Sequence, residues 1–240
     1  MQSTRWAALD AVRGVAMVWM TAFHFCFDLQ NAGYLKADFY NDVFWTGQRT
    51  AIVSLFLLCA GAACTFNPPW PRFWRRWAQI VGAAMLVSAG SYLMFPQSFI
   101  YFGVLHGMAV MTLLTRVVLP LSKVQLLLLG TVMLALPQAA PWLHSQFNLA
   151  AFNTPMLNWL GLISHKPITE DHVPLLPWWG VMLWGTVAGK ICSGTAMSDR
   201  ELPRPFAPLT WLGRHSLTYY LAHQPVMIGC IMAWGWWQVH

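Results

Sequence analysis

The sequence predicts an all-α, polytopic integral membrane helix bundle of about seven transmembrane helices, with its N-terminus in the cytoplasm. Three observations predict it. Of 240 residues, 57% are hydrophobic and only 9% are charged, against roughly 25% charged in a soluble domain. Long apolar stretches account for the excess, and each is bounded by turn residues or prolines. The basic residues between those stretches alternate in density, as the positive-inside rule requires.

The first segment covers about 8–30 and ends in Asn31-Ala32-Gly33, a turn sequence. A short basic region precedes it, as in a signal peptide, but Asp10 and Arg13 interrupt the apolar run and no small-residue cleavage site follows. It is read as a retained helix. A polar loop over 36–42 leads to a second segment at about 46–66, closed by Asn67-Pro68-Pro69. The basic, aromatic run Pro71-Arg72-Phe73-Trp74-Arg75-Arg76-Trp77 reads as a connector in the headgroup layer. The third segment, about 78–95, stops before Pro96, and the fourth, about 99–119, stops at Pro120. A tight turn at 121–123 enters the fifth, about 124–140, and a long mixed loop fills 141–174. The sixth, about 175–193, carries Gly185 and Gly189 at the small-xxx-small spacing that lets helices approach closely. After a polar connector over 194–213 the seventh runs from about 214 to 237. The reading is one domain spanning 1–240.

With the N-terminus inside, the cytoplasmic side receives Arg5, Arg13, Arg72, Arg75, Arg76, Arg116, Lys123, Lys190, Arg200, Arg204 and Arg214, which leaves only Lys36, Arg49 and Lys166 elsewhere among the 14 basic residues. That placement explains the net charge of +6 without a nucleic-acid partner. The five cysteines fall in or beside apolar runs and show no metal or disulfide spacing. The histidines of the loop and tail, His144, His165, His172 and His240, are irregularly spaced, so no metal site is predicted.

The first segment carries the chemistry. Arg13 and His24 are separated by three helical turns plus about 20°, which places them on one face about 16 Å apart. Asp10 and Asp28 fall near the same stripe. Ionisable side chains in a membrane helix are costly and turn toward a cavity or a partner. Arg13 at the inner mouth suits a phosphate or another cytosolic anion. His24, deeper, suits a general base or nucleophile, and Asp28 one turn on is placed to orient it. The competing reading is an Asp10–Arg13 pair at the membrane edge with His24 hydrogen-bonded to a neighbouring helix.

Arg13 and His24 reproduce the Arg-x10-His pattern of membrane acyltransferases that acylate cell-surface sugars. The whole chain resembles bacterial proteins similar to the catalytic domain of heparan-alpha-glucosaminide N-acetyltransferase. The resembling pieces are Leu9 to Gly14, His24 to Leu29, Phe102 to His106, Pro174 to Gly180, and Leu212 to Leu217 continuing through Tyr220 to Pro225. The resemblance implies an acetyltransferase of the bacterial inner membrane that takes acetyl-CoA from the cytosol and acetylates a sugar or amino-sugar acceptor. His24 matches the histidine proposed as catalytic. Arg214, His215 and Ser216, with Asp10 and Arg13, are placed to meet the coenzyme, and Arg72, Arg75 and Arg76 either join them or anchor the headgroup layer. His106 contacts acceptor or makes a helix–helix hydrogen bond. His223 and Gln224 line the substrate cavity, and Pro225 after them marks a local helix break. Glu170 and Asp171 are placed to meet an amino sugar's ammonium. The exposed aromatic surface and the small-xxx-small pair leave room for a homodimer. The alternative function is a transporter that uses the same Arg/His/Asp stripe as its path; against it, no matching halves or paired broken helices are visible.

Overall fold

The computed structural model describes residues 6–147, 149–193 and 202–239. Among them the regular structure is helical, with one isolated backbone bridge between Phe102 and His172. The chain divides into two compact units, Met1–Phe56 with Ala196–His240, and Leu57–Thr195. Helix α2 (Val43–Cys64) belongs to the first up to Phe56 and to the second from Leu57.

The first unit is organised by α1 (Ala7–Asn31), which packs against α8 (Ala207–Arg214) and α9 (Ser216–Val239). Small residues make the α1–α8 crossing intimate. A Cβ on Gly14 would fall 2.1 Å from the Leu209 carbonyl oxygen, and one on Gly213 would fall 1.8 Å from that of Asp10. Further along, Met17, Met20 and Ile52 form a buried cluster with Phe23, Phe56, Leu212, Tyr219 and Tyr220 around it.

The second unit contains α3 (Trp70–Met94), α4 (Val104–Val118), α5 (Lys123–Ala135), α6 (Ala140–Gln146) and α7 (Leu175–Cys192). Helix α7 packs on α4 and α5, and α3 on α4. Gly185 and Gly189 perform the close approach expected of them: their faces meet the backbone of Leu58 and Ala62, and Thr186 Oγ1 donates to Gly61 O at 3.1 Å. Three helical stretches are long and apolar enough to cross a membrane: Val43–Cys64, Trp70–Met94 and Lys123–Gln146. Val104–Val118 is a shorter apolar helix. The chain is an integral membrane protein.

Several boundaries differ from expectation. The basic run 71–77 is not a connector but the first two turns of α3, because Pro71 sits in the opening turn, where a missing N–H costs nothing. The same logic restarts helix at Pro137 and Pro141, so the 141–174 loop opens helically and holds further 3₁₀ turns at Ala150–Asn153 and Asn158–Leu160. The connector 194–213 hides α8, again with proline in its first turn. Arg214 closes α8, His215 breaks the path, and α9 runs through Pro225 without the expected interruption. Arg5, Arg200 and His240 lie outside the described residues.

Candidate active site

The stripe on α1 faces its own unit. Asp10, Arg13 and Asp28 are all buried. Arg13 Nη1 donates to Asp10 Oδ1 at 3.2 Å and to the Gly213 carbonyl at 3.5 Å. Arg214 Nε donates to the second oxygen, Asp10 Oδ2, at 3.3 Å. One carboxylate thus holds two guanidiniums, which leaves a net positive centre at the α1–α8 crossing. Arg13 is inside it, whereas the Arg214 side chain is 47% exposed. His215 is exposed and Ser216 half-buried at the α8–α9 junction, with His215 Nδ1 donating to Trp211 O at 2.9 Å.

Three turns along α1 a second centre forms with α9. The rings of His24 and His223 stand edge to face with centroids 5.3 Å apart. His223 Nδ1 lies 2.7 Å from the Tyr220 carbonyl. A carbonyl only accepts, so Nδ1 carries the proton and Nε2 is left as an acceptor. Tyr219 stacks on His223 at 5.9 Å, and its hydroxyl meets Thr21 Oγ1 at 2.7 Å. Asp28 lies beside the Gln224 side chain. His24 Nδ1, His223 Nε2 and Asp28 Oδ2 are buried with no hydrogen-bond partner among the described residues. Each such orphan costs about 1–3 kcal/mol, so three in one place mark a site built for something other than stability. No hydrogen bond joins His24 to Asp28 among the described residues; Gln224 takes the carboxyl's side instead.

The stripe therefore resolves into two centres. Buried Met17 and Met20 pack between them, against Leu212, Tyr219 and Tyr220. Tyr219 escaped the sequence reading, although its place one turn before His223 was visible in the spacing.

In the second unit His106 is fully engaged. The Gly103 N–H donates to its Nδ1 at 3.3 Å, which leaves Nε2–H to donate to Ser88 Oγ at 3.1 Å; Ser88 in turn donates to Ile100 O at 2.6 Å. This is the helix–helix hydrogen bond, not a free ring. Glu170 and Asp171 are likewise committed, Glu170 to the Ser98 hydroxyl and Asp171 Oδ2 to the Val104 N–H at 2.7 Å, where it caps α4.

His172, in the loop before α7, has both ring nitrogens buried without partners among the described residues. Burial, and then the Lys166 charge, push its pKa from 6.5 down to about 4. The unfolded chain takes up that proton first, so stability is full above pH 6.5 and falls as pH drops toward 4. The melting temperature of the purified protein should decline over that window, and His172→Gln should flatten the decline. An unchanged slope in the variant would remove His172 from the account.

A family-wide sequence pattern described as heparan-alpha-glucosaminide N-acetyltransferase, catalytic, matches residues 5–225. The chain belongs to this family. Searches of curated proteins and of solved structures return no match. Membership in the heparan-alpha-glucosaminide N-acetyltransferase family makes the chain a transmembrane acetyltransferase. The matched span covers both centres on α1 and the α9 residues through Pro225 that face the second of them.

Proposed function

We propose that this acetyltransferase draws acetyl-CoA from the cytosol and transfers its acetyl group to a sugar or amino-sugar acceptor of the bacterial envelope, at nitrogen or oxygen, from the inner membrane. The observation that carries the reading is the His24–His223–Asp28 cluster, three orphaned polar atoms on two helices of one unit. In direct transfer the acceptor's lone pair bonds to the thioester carbonyl carbon, and the carbon–sulfur bond breaks. His24 takes the acceptor's proton and returns it to the departing thiolate. In the covalent variant His24 holds the acetyl group between two such steps. His223, its tautomer fixed by Tyr220, supplies an acceptor beside His24, and Gln224 steadies Asp28. His106 enters this scheme as support for the α3–α4 pair.

The residues at the α1–α8 crossing fit the coenzyme's phosphates with one change of emphasis. Asp10 and Arg13 satisfy each other in the interior, and Arg214 presents donors outward, with His215 and Ser216 next to it. Acetyl-CoA supplies the activated acyl group; Arg214 holds its phosphates, and Asp10 holds Arg214 in place. Seven spans with the N-terminus inside accommodate α1 and α9 as further crossings, since 25 and 24 residues extend about 36 Å.

Purified protein with acetyl-CoA and glucosamine-type or hydroxyl acceptors should release coenzyme A stoichiometrically with acetylated product, and acetyl-CoA should raise its melting temperature. Substrate uptake without acetylation would support the transporter reading instead. Arg214→Ala should raise the KM for acetyl-CoA roughly tenfold, the worth of a charge-assisted hydrogen bond, with kcat nearly unchanged. A fall in kcat at constant KM would move Arg214 from binding to chemistry.

A further inference from the structure

One end of the second unit carries a feature that acetyl transfer at His24 does not use. Thr65 and Asn67 after α2, the turn Leu119-Pro120-Leu121-Ser122-Lys123 between α4 and α5, and Lys190 and Ser193 at the end of α7 enclose an open cavity of about 600 Å³. That volume lies within the range of small-molecule sites. Leu119, Pro120 and Leu121 form its apolar wall.

Among the described residues the charge around it is one-sided. Lys190 Nζ donates to Leu119 O and Leu121 O, each at 2.7 Å. An ammonium has three donors, so one remains for the cavity. Lys123 is exposed on the rim and makes no hydrogen bond or ion pair among the described residues. Arg116 is fixed at the same end: its Nη2 donates to Pro68 O at 2.8 Å, and its guanidinium lies over the Trp70 ring at 4.7 Å. Arg72, Arg75 and Arg76 follow in the first turns of α3. The acids among the described residues of this unit are Glu170 and Asp171, and Asp171 caps the opposite end of α4, about 22 Å away by helix length. Among the described residues of this unit, no acid stands near the two lysines.

We propose that this cavity is a binding site for a phosphate-bearing anion, held by Lys123 and Lys190 with its apolar remainder on the 119–121 turn. A phosphate offers enough oxygens to share two ammoniums, and the two lysines favour an anion over a cation. Both a phospholipid headgroup and a soluble phosphate carry this chemistry. The position favours neither by itself: the cavity lies where two membrane-crossing stretches terminate, ending at Cys64 and beginning at Lys123, so bilayer and solvent both reach it.

The two sources separate experimentally on the full chain in detergent. Inorganic pyrophosphate is titrated against the melting temperature, and retention of phosphatidylglycerol against phosphatidylcholine is read by native mass spectrometry. Lys123→Glu and Lys123→Gln are compared with the unaltered protein; both leave the Ser122–Gln125 cap of α5 intact. The site predicts that at least one phosphate probe binds and that Lys123→Glu weakens it about tenfold, with Lys123→Gln in between. A Lys123-dependent pyrophosphate effect assigns a soluble ligand, and Lys123-dependent phosphatidylglycerol retention assigns a lipid. Equal retention of both lipids with no pyrophosphate shift, or binding that neither substitution changes, overturns the site. None of these readouts involves acetyl-CoA or His24, so the outcome stands apart from that of the acetyltransferase reading.

Discussion

Replacement of His24 by alanine is expected to reduce kcat for acetyl transfer by about a thousandfold, the middle of the range for loss of a positioned acid–base group, while protection by acetyl-CoA persists. The geometry explains why fold and chemistry should separate here. Among the described residues His24 makes no hydrogen bond that holds α1 to anything, and its Nδ1 is buried without a partner. Alanine removes ring contacts with Phe23 and His223 but leaves no new orphan on a neighbour. The centre of Asp10, Arg13 and Arg214 at the α1–α8 crossing lies three turns away and keeps its bonds. Retained transfer by a folded His24→Ala protein would sink the assignment of His24.

The same position distinguishes the two chemical routes. Incubation with labelled acetyl-CoA in the absence of acceptor leaves label on the unaltered protein, absent from His24→Ala, only if the imidazole carries the acetyl group. Without such label, and with both substrates required before coenzyme A leaves, His24 acts as base. His223 belongs in the comparison because its ring stands against that of His24 and its Nε2 has no hydrogen-bond partner among the described residues. His223→Gln should slow transfer less than His24→Ala, since Tyr219 and Thr21 still brace that wall of α9.

How much of this was legible beforehand follows from what periodicity encodes. The buried stripe on α1 could be read because a helix repeats by angle, and the spacing from Arg13 to His24 returns to the same face. A repeat angle names a face and is silent about partners. It did not show that Asp10 would hold two arginines, that Arg13 would turn inward, or that Arg214 would be the outward one. Helix α8 was invisible for another reason: eight residues with a proline in the first turn look like a connector, and only docking on α1 stabilises so short a helix. The start of α3 was misplaced because arginines and tryptophans suit the headgroup layer equally well as loop or as helix. At His106 both readings were open, and what decided between them, Ser88 on a different helix, has no signature in local sequence.

The largest stability effect is expected at Gly213. Its ideal Cβ position lies 1.8 Å from the carbonyl oxygen of Asp10 and 2.7 Å from the carbonyl carbon. These are backbone atoms of a helix and have no rotamer by which to withdraw. Valine there must push α8 off α1, and the displacement would strip Arg13 of the Gly213 carbonyl, break the Arg214–Asp10 pair and open the Gly14–Leu209 contact together. Because such losses are coupled, the cost should exceed a simple overpacking penalty of about 1–3 kcal/mol. The expected result is a large fall in melting temperature or in folded yield, with faster amide exchange over Ala207–Arg214. Gly90→Ala is the control, since a Cβ there meets nothing within 4 Å and alanine is the better helix former by nearly 1 kcal/mol. If Gly213→Val melted like the Gly90→Ala protein, α8 would not be docked on α1 through its glycine face. The buried aspartate would then lack the scaffold that pairs it with Arg214.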